Sequence, residues 1–256
     1  MLLTGATGGL GHAIARSLAQ RGGRLVLTGR RAEVLEPLAA ELGARALAVD
    51  LADASEVQRL LEGAGELDIL VANAALPASG TLDSYTVEEI DRALAVNVRA
   101  PIVLAHGLIG SMVARGGGHL LFMSSLAGKA ATPRTALYNA SKYALRGFAA
   151  ALRADLRESR VGVSAVFPGF IRDAGMFADA GVELPPGVGT RSPVDVATAV
   201  IGAIENNRGE VDVAPLPLRA SAMLASVAPE LAAGLARRLG ADDISRRMET
   251  GQRDKR

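Results

Sequence analysis

The 256-residue chain has no cysteine, which removes disulfides, thiolate metal sites and cysteine nucleophiles from the chemistry open to it. It also lacks a charge excess. Its 28 basic and 27 acidic side chains leave a net charge of +1 with the signs interspersed, so no electrostatic footprint for nucleic acid is present. No export signal is legible: Met1-Leu2-Leu3 passes directly into Thr4-Gly5, without a charged start and an apolar stretch of roughly 7 to 15 residues. A spanning helix needs about 20 mostly apolar residues. The richest candidates are broken, one by Asn97, Arg99, Pro101 and His106, the other by Pro215, Pro217, Arg219, Pro229 and Glu230. A soluble cytoplasmic protein with no transmembrane segment and no nucleic-acid partner is the expectation. His12, His106 and His119 lack metal spacing or a catalytic neighbour, so no metal is expected. Lysine is scarce too, with Lys129, Lys142 and Lys255 the only ones.

What the chain does have is an alternation of short apolar strands and helical patterns. A strand over 1–4 runs into Thr4-Gly5-Ala6-Thr7-Gly8-Gly9-Leu10-Gly11, and a helix follows through Arg21. Strand, glycine loop and helix start make a nucleotide site, because glycines admit a pyrophosphate and the helix N–H groups receive its charge. A tight turn is the plain alternative. The second strand, 25–28, ends at Gly29-Arg30-Arg31. Dinucleotide folds that prefer NAD place an acid about 20 residues past the glycines, whereas NADP binders use arginine for the 2′-phosphate. No acid occurs from Gly11 to Arg31. Arg30, supported by Arg31, is the candidate clamp, against two solvated arginines opening a helix. This favours NADP(H) over NAD(H).

Further along come a helix over 33–42 and a strand over 45–49 that closes on Asp50-Leu51. Capping-box spacing at Ser55 opens a helix to Glu62, and an apolar strand over 67–72 ends in Asn73-Ala74-Ala75. A second capping box at Thr86 opens a long helix carrying Asn97, whose plain reading is structural. A fifth strand, 119–124, leaves Ser125 just past its end; a sixth, 161–167, precedes Pro168-Gly169; a short last one covers 211–213. Such an alternation means a doubly wound parallel sheet with helices on both faces, and ligands at the carboxyl ends of the strands. The stretch 170–191 has little periodicity but large apolar residues, and is expected to be a substrate lid.

The helical run 136–158 holds Tyr138-Asn139-Ala140-Ser141-Lys142. Residues four apart share a helix face, so the Tyr138 phenol and the Lys142 ammonium sit together. A neighbouring cation favours the phenolate and pulls its pKa down from roughly 10 toward the working pH. In a chain that otherwise uses arginine, a lysine here points to a compact, three-donor charge. An ordinary solvated helix face is the alternative for Tyr-x-x-x-Lys alone.

Taken in order, these landmarks resemble the short-chain dehydrogenase/reductase family, in its shorter single-domain branch, over about 1–213. The glycine loop fits Thr-Gly-x-x-x-Gly-x-Gly through Gly5, Gly9 and Gly11, Asn73-Ala74-Ala75 resembles the Asn-Ala-Gly turn, and Ser125 precedes Tyr138 by thirteen positions. The resemblance implies a Rossmann-like fold in which Tyr138 passes the proton and Lys142 binds the nicotinamide ribose and lowers the Tyr138 pKa. Ser125 would hydrogen-bond the substrate oxygen, and Asn97 would hold a water of the proton relay. The cofactor would contact Gly5, Thr7, Gly9, Leu10, Gly11, Arg30, Arg31, Asp50, Leu51, Asn73, Ala74, Tyr138, Lys142, Pro168, Gly169 and Ile171. It also implies a homodimer or homotetramer.

The sequence departs from that pattern at three places. Gly8 lets the loop also fit the longer, sugar-nucleotide branch, and Ala75 replaces a glycine. Asp173 stands where relatives often carry a threonine that binds the carboxamide. Residues 214–256 form a helical extension in place of a glycine-rich assembly strand; it is expected to pack over the cleft or a partner, with peripheral membrane contact as the alternative, and to fray from Asp242. The function implied is NADP(H)-dependent interconversion of a ketone or aldehyde and an alcohol on a small hydrophobic substrate. The alternatives are an NADP-binding regulator without turnover, and an epimerase or dehydratase using the same Tyr138 and Lys142.

Overall fold

The computed structural model describes residues 1–182, 184, 188–238 and 241–252, apart from the side chains of residues 233, 235–238, 241 and 242. In chain order the elements are β1 (Leu2–Thr4), α1 (Gly9–Gln20), β2 (Val26–Gly29), α2 (Ala32–Leu42), β3 (Arg45–Ala48), α3 (Ala54–Ala64) and β4 (Ile69–Ala72). Next come α4 (Val87–Leu94), a π-turn at Ala95–Arg99, α5 (Ala100–Ala114), β5 (Gly118–Met123), α6 (Ala136–Asp155) and β6 (Val161–Pro168). The chain closes with α7 (Gly175–Ala180), α8 (Pro193–Glu205), β7 (Glu210–Val213), α9 (Leu216–Val227), α10 (Pro229–Arg238) and α11 (Ala241–Gln252).

All pairings are parallel, in the order β3-β2-β1-β4-β5-β6-β7. Helices cover both faces, so central strands are apolar on each side, and every residue of β6 is buried. One face packs Leu70, Leu120, Phe122 and Phe167 against α3, α5 and α6; the other packs Leu3, Leu27, Leu121 and Val166 against α1, α2 and α8. The direction of winding reverses between β1 and β4, which opens a crevice at their carboxyl ends.

Local chemistry starts α4 as expected at Thr86 with a reciprocal capping box, and Ser192 forms another at the start of α8, followed by Pro193 at the first helical position. No capping box forms at Ser55. Asp53 caps α3 instead, accepting from the Ser55 N–H at 2.7 Å, while Glu56 turns back to the Asp50 N–H at 2.5 Å. Val87–Ala114 is one helical stretch long and apolar enough to cross a membrane, yet its Val96, Ala100, Leu104 and Leu108 are buried in the core beside α3 and the sheet.

The C-terminal part differs most from expectation. The segment 170–191 is not wholly irregular: Ile171 bridges to Arg191, and α7 lies between them. Of that expected lid, residues 183 and 185–187 lie outside the described residues. The fraying expected from Asp242 is replaced by α11, because Ile244, Met248 and Gln252 recur every fourth residue on the face turned to the cleft. Residues 253–256 and the Arg237 and Arg238 side chains lie outside what is described.

Candidate active site

A cleft of about 1090 Å³ runs from the glycine loop, past the end of β5, to the C-terminal helices. Every residue expected to touch the cofactor lines it, as do Ser125, Tyr138 and Lys142; Asn97 does not. At one end, Gly5 has φ +66°, and a Cβ there would lie 2.7 Å from the Ala74 Cα, so only glycine lets the end of β1 approach the turn after β4. Asn73 fastens the two, its Nδ2 donating to the Thr4 carbonyl at 3.0 Å, while the Thr4 hydroxyl accepts from the Ala74 N–H at 3.0 Å. A Cβ on Gly11 would come within 2.2 Å of the Gly5 carbonyl oxygen.

The N-terminus of α1 carries no side-chain cap and no acid in its first turn, unlike those of α3, α4 and α8. Its N–H groups are thus left for an anion, the donor set that a dinucleotide pyrophosphate requires. Arg31 Nη2 donates to the Thr7 carbonyl at 2.6 Å, which lays its guanidinium across the loop, and Arg30 lines the cleft beside it. The far side of the loop is covered by the turn before α7, since a Cβ on Gly9 would meet the Ala174 Cβ at 2.5 Å.

Asp50 pairs with Arg92 at 2.7 Å and accepts from the Ala52 N–H at 3.0 Å. Burial raises its pKa; the Arg92 hydrogen bond, the Ala52 N–H and the charges of Arg92 and Arg30 outweigh that and hold the carboxyl below its usual range. Asp173 turns away from the cleft. Its side chain is 69% exposed and faces Arg172 at 3.4 Å, so the carboxylate is not set to receive a carboxamide.

In the middle of the cleft, α6 presents Tyr138 and Lys142 one turn apart beside Ser125 at the end of β5. Lys142 is 2% exposed, donates from Nζ to the Met123 carbonyl at 2.9 Å, and sits 5.6 Å from the Tyr138 ring centre. The Ser124 hydroxyl donates to the Lys142 carbonyl at 2.9 Å, which docks the helix on the strand end. Burial pushes the Lys142 pKa down to about 8. Tyr138 keeps partial access from the cleft but is crowded on all other sides, and burial pushes its phenol up to about 12, against a lowering hydrogen bond with Ser125. The depression of the Tyr138 pKa expected from Lys142 is therefore not found in this arrangement. The ammonium donates to the Met123 carbonyl and not to the phenol, and loss of water dominates.

Asn97 lies behind this group, fully buried in the π-turn, a distortion common at functional sites. Its Oδ1 accepts from the Leu76 N–H at 2.7 Å, and its Nδ2 donates to the Leu76 carbonyl at 3.0 Å and the Ser141 hydroxyl at 3.4 Å. The side chain thus holds the loop after β4 to α6, which is the plain structural reading. Asn139, unassigned from sequence, similarly ties α6 to the loop after β5 through the Ala127 and Ala130 carbonyls at 2.6 and 2.9 Å. Its position beside Tyr138 was the one available signal.

The other end of the cleft is mostly apolar, with Phe170, Met176 and Phe177 from the segment 170–191 and Leu218, Ile244 and Met248 from the C-terminal helices. The last two went unrecognised from sequence, although their spacing of four residues marks a helix face. His119 lies elsewhere in the core against the Ser164 hydroxyl at 2.9 Å, and burial pushes it down to about 4. Among the described residues no group of three His, Asp or Glu side chains converges as a metal site.

The family model for short chain dehydrogenase matches residues 1–183. The ketoacyl reductase HetN of Nostoc sp. is 34% identical over 230 residues, covering 86% of this chain and 80% of that protein. A short-chain dehydrogenase from Sphingobium yanoikuyae, solved in complex with NADPH, superposes with a TM-score of 0.77 at 26% identity, over 90% of this chain and 94% of that one. The 3-ketoacyl-(acyl-carrier-protein) reductase of Brucella melitensis, complexed with NADH, gives 0.74 at 26% identity over 83% and 95%.

Proposed function

The chain belongs to the short-chain dehydrogenase/reductase family and is an oxidoreductase of that kind, and from this premise we propose that it reduces a hydrophobic ketone with NADPH. One observation carries the reading: the paired Ser125 and Tyr138 hydroxyls stand where a glycine-lined cofactor end meets an apolar substrate end. Bound nicotinamide would supply the hydride to the carbonyl carbon. As negative charge builds on the carbonyl oxygen, Tyr138 gives up its proton to form the alcohol, and the Ser125 hydroxyl, which in this structure donates to the Pro168 carbonyl at 3.3 Å, would turn to donate to that oxygen. A phenol pushed up to about 12 is protonated throughout the neutral range, the form that reduction needs. Lys142 has two N–H donors left beyond Met123 for the nicotinamide ribose and, through its charge, for the phenolate left behind.

The preference for NADPH rests on Arg30 and Arg31 at the cleft and on the absence of an acid before them, since structural neighbours carry either cofactor. The substrate class rests on the apolar far end and on the ketoacyl reductases among the similar proteins. The test is NADPH and NADH consumption over ketones and ketoacyl thioesters with Tyr138→Phe beside the wild type. Loss of about 10²- to 10⁴-fold in turnover is expected for removing the proton donor. A variant that keeps its rate would dismiss Tyr138 from the chemistry.

A further inference from the structure

Gln252 ends α11 and is 2% exposed, yet both ends of its amide are used at the cleft wall. Nε2 donates to the Met176 carbonyl of α7 at 3.0 Å, and Oε1 accepts from the Ser79 hydroxyl at 2.8 Å. Ser79 belongs to the loop after β4 and Met176 to the lid after β6, and these strands flank β5, so one side chain bridges the two walls of the substrate end. The neighbouring contacts allow little slack. A Cβ on Gly251 would fall 2.6 Å from the Ala180 Cα, which puts α11 and α7 in backbone contact. Glu249 pairs with Arg134 Nε at 2.6 Å, and the Arg134 carbonyl accepts from the Gly80 N–H at 2.6 Å, so α11 is also tied to the segment leading into the Tyr138 helix.

We propose that Gln252 is a positioning residue which fixes the distance between the lid helix α7 and the loop after β4, and so sets the size of carbonyl compound that fits over Tyr138. An amide at the end of α11 can do this because its donor and its acceptor point to different segments, and a buried amide that loses a partner leaves an unpaired group in an apolar wall. Met248 and Ile244, on the same face of α11, supply the apolar surface that the substrate then meets. The specificity role rests on the ketone-reduction reading; the bridge between the walls does not.

The experiment compares 2-alkanones of increasing chain length in the wild type, Gln252→Ala and Gln252→Glu, with hydrogen exchange of the α7 amides measured on the same proteins. In Gln252→Ala the ratio of kcat/KM for long over short ketones should rise about 10-fold, near the lower value of one methylene of pocket room, and the change should lie in KM. Gln252→Glu keeps the acceptor for Ser79 and loses the donor to Met176, so it should give a smaller rise, and it serves if the alanine variant does not fold. The α7 amides should exchange faster in each folded variant. An unmoved ratio, or a loss of kcat shared equally by all ketones, would overturn the role in specificity. If the wild type reduces no ketone, the functional reading fails separately; exchange in α7 then decides the bridge, with unchanged rates refuting it.

Discussion

Replacing Lys142 by methionine should make the protein more stable at neutral pH while disabling its chemistry. The side chain is 2% exposed, and burial pushes its pKa from 10.5 down to about 8. Near pH 7 both the folded and the unfolded chain carry the proton, so the folded state bears the full cost of the buried ammonium, about 3 kcal/mol for that difference. Methionine keeps most of the volume and removes the cost, but gives up the hydrogen bond to the Met123 carbonyl, about 1 kcal/mol. The net gain is about 2 kcal/mol, or roughly 4–8 °C in Tm for a chain of this length.

The pH dependence gives a second check on the same variant. A lysine whose folded pKa is depressed disfavours the folded state below that value, and the penalty fades as pH rises from about 8 toward 10.5, where the unfolded chain holds a proton that the folded one has released. By about pH 9.5 more than half of the penalty has gone and the two proteins should unfold at nearly the same temperature. Tyr138, pushed up to about 12, stays protonated in the folded chain over this range, and its ionisation in the unfolded chain is common to both proteins and cancels in the comparison. Thermal and urea unfolding at pH 7.0 and about 9.5 supply the measurement. A variant no more stable than wild type at pH 7, or a gap that ignores pH, would refute the view that Lys142 is held at a cost in stability for its function.

Two further substitutions probe the cofactor end. Arg30→Asp should raise the KM for NADPH by about 100-fold, the value of a charge-assisted hydrogen bond, and shift preference toward NADH; unchanged NADPH kinetics would remove Arg30 from the site. Gly11→Ala puts a Cβ 2.2 Å from the Gly5 carbonyl, so it should lower stability by about 1–3 kcal/mol and abolish tight NADPH binding in a fluorescence titration. Wild-type binding in that variant would show that the glycine loop can relax.

How much of this could be read from the sequence depended on how local the physics was. Gly5, Gly9 and Gly11 were legible because a helix start after a short strand admits few uses for that spacing. Tyr138 and Lys142 were legible as neighbours because four residues return a helix to the same face. The capping residue of α3 was misread because Asp53 and Ser55 both suit the position, and only the path of the backbone chooses between them. The partners of Asn97, Asp50 and Gln252 lie 21, 42 and up to 173 residues away, and no local pattern reaches that far.

The direction of the Tyr138 pKa shift separates proximity from solvation. Spacing placed a cation near the phenol, and in water that would favour the phenolate. The fold surrounds both groups with the ends of β5 and β6 and the loop after β4, turns the ammonium toward Met123, and so raises the phenol while lowering the lysine. Each shift favours the uncharged form, as exclusion of water requires when no charged partner compensates. The pair is thus assembled in its proton-loaded form, Tyr138 neutral and able to donate. In the proposed reduction the phenolate becomes favourable only when Lys142 keeps its proton beside it, so the charge that spacing revealed would act after the proton has moved and does not set the resting state.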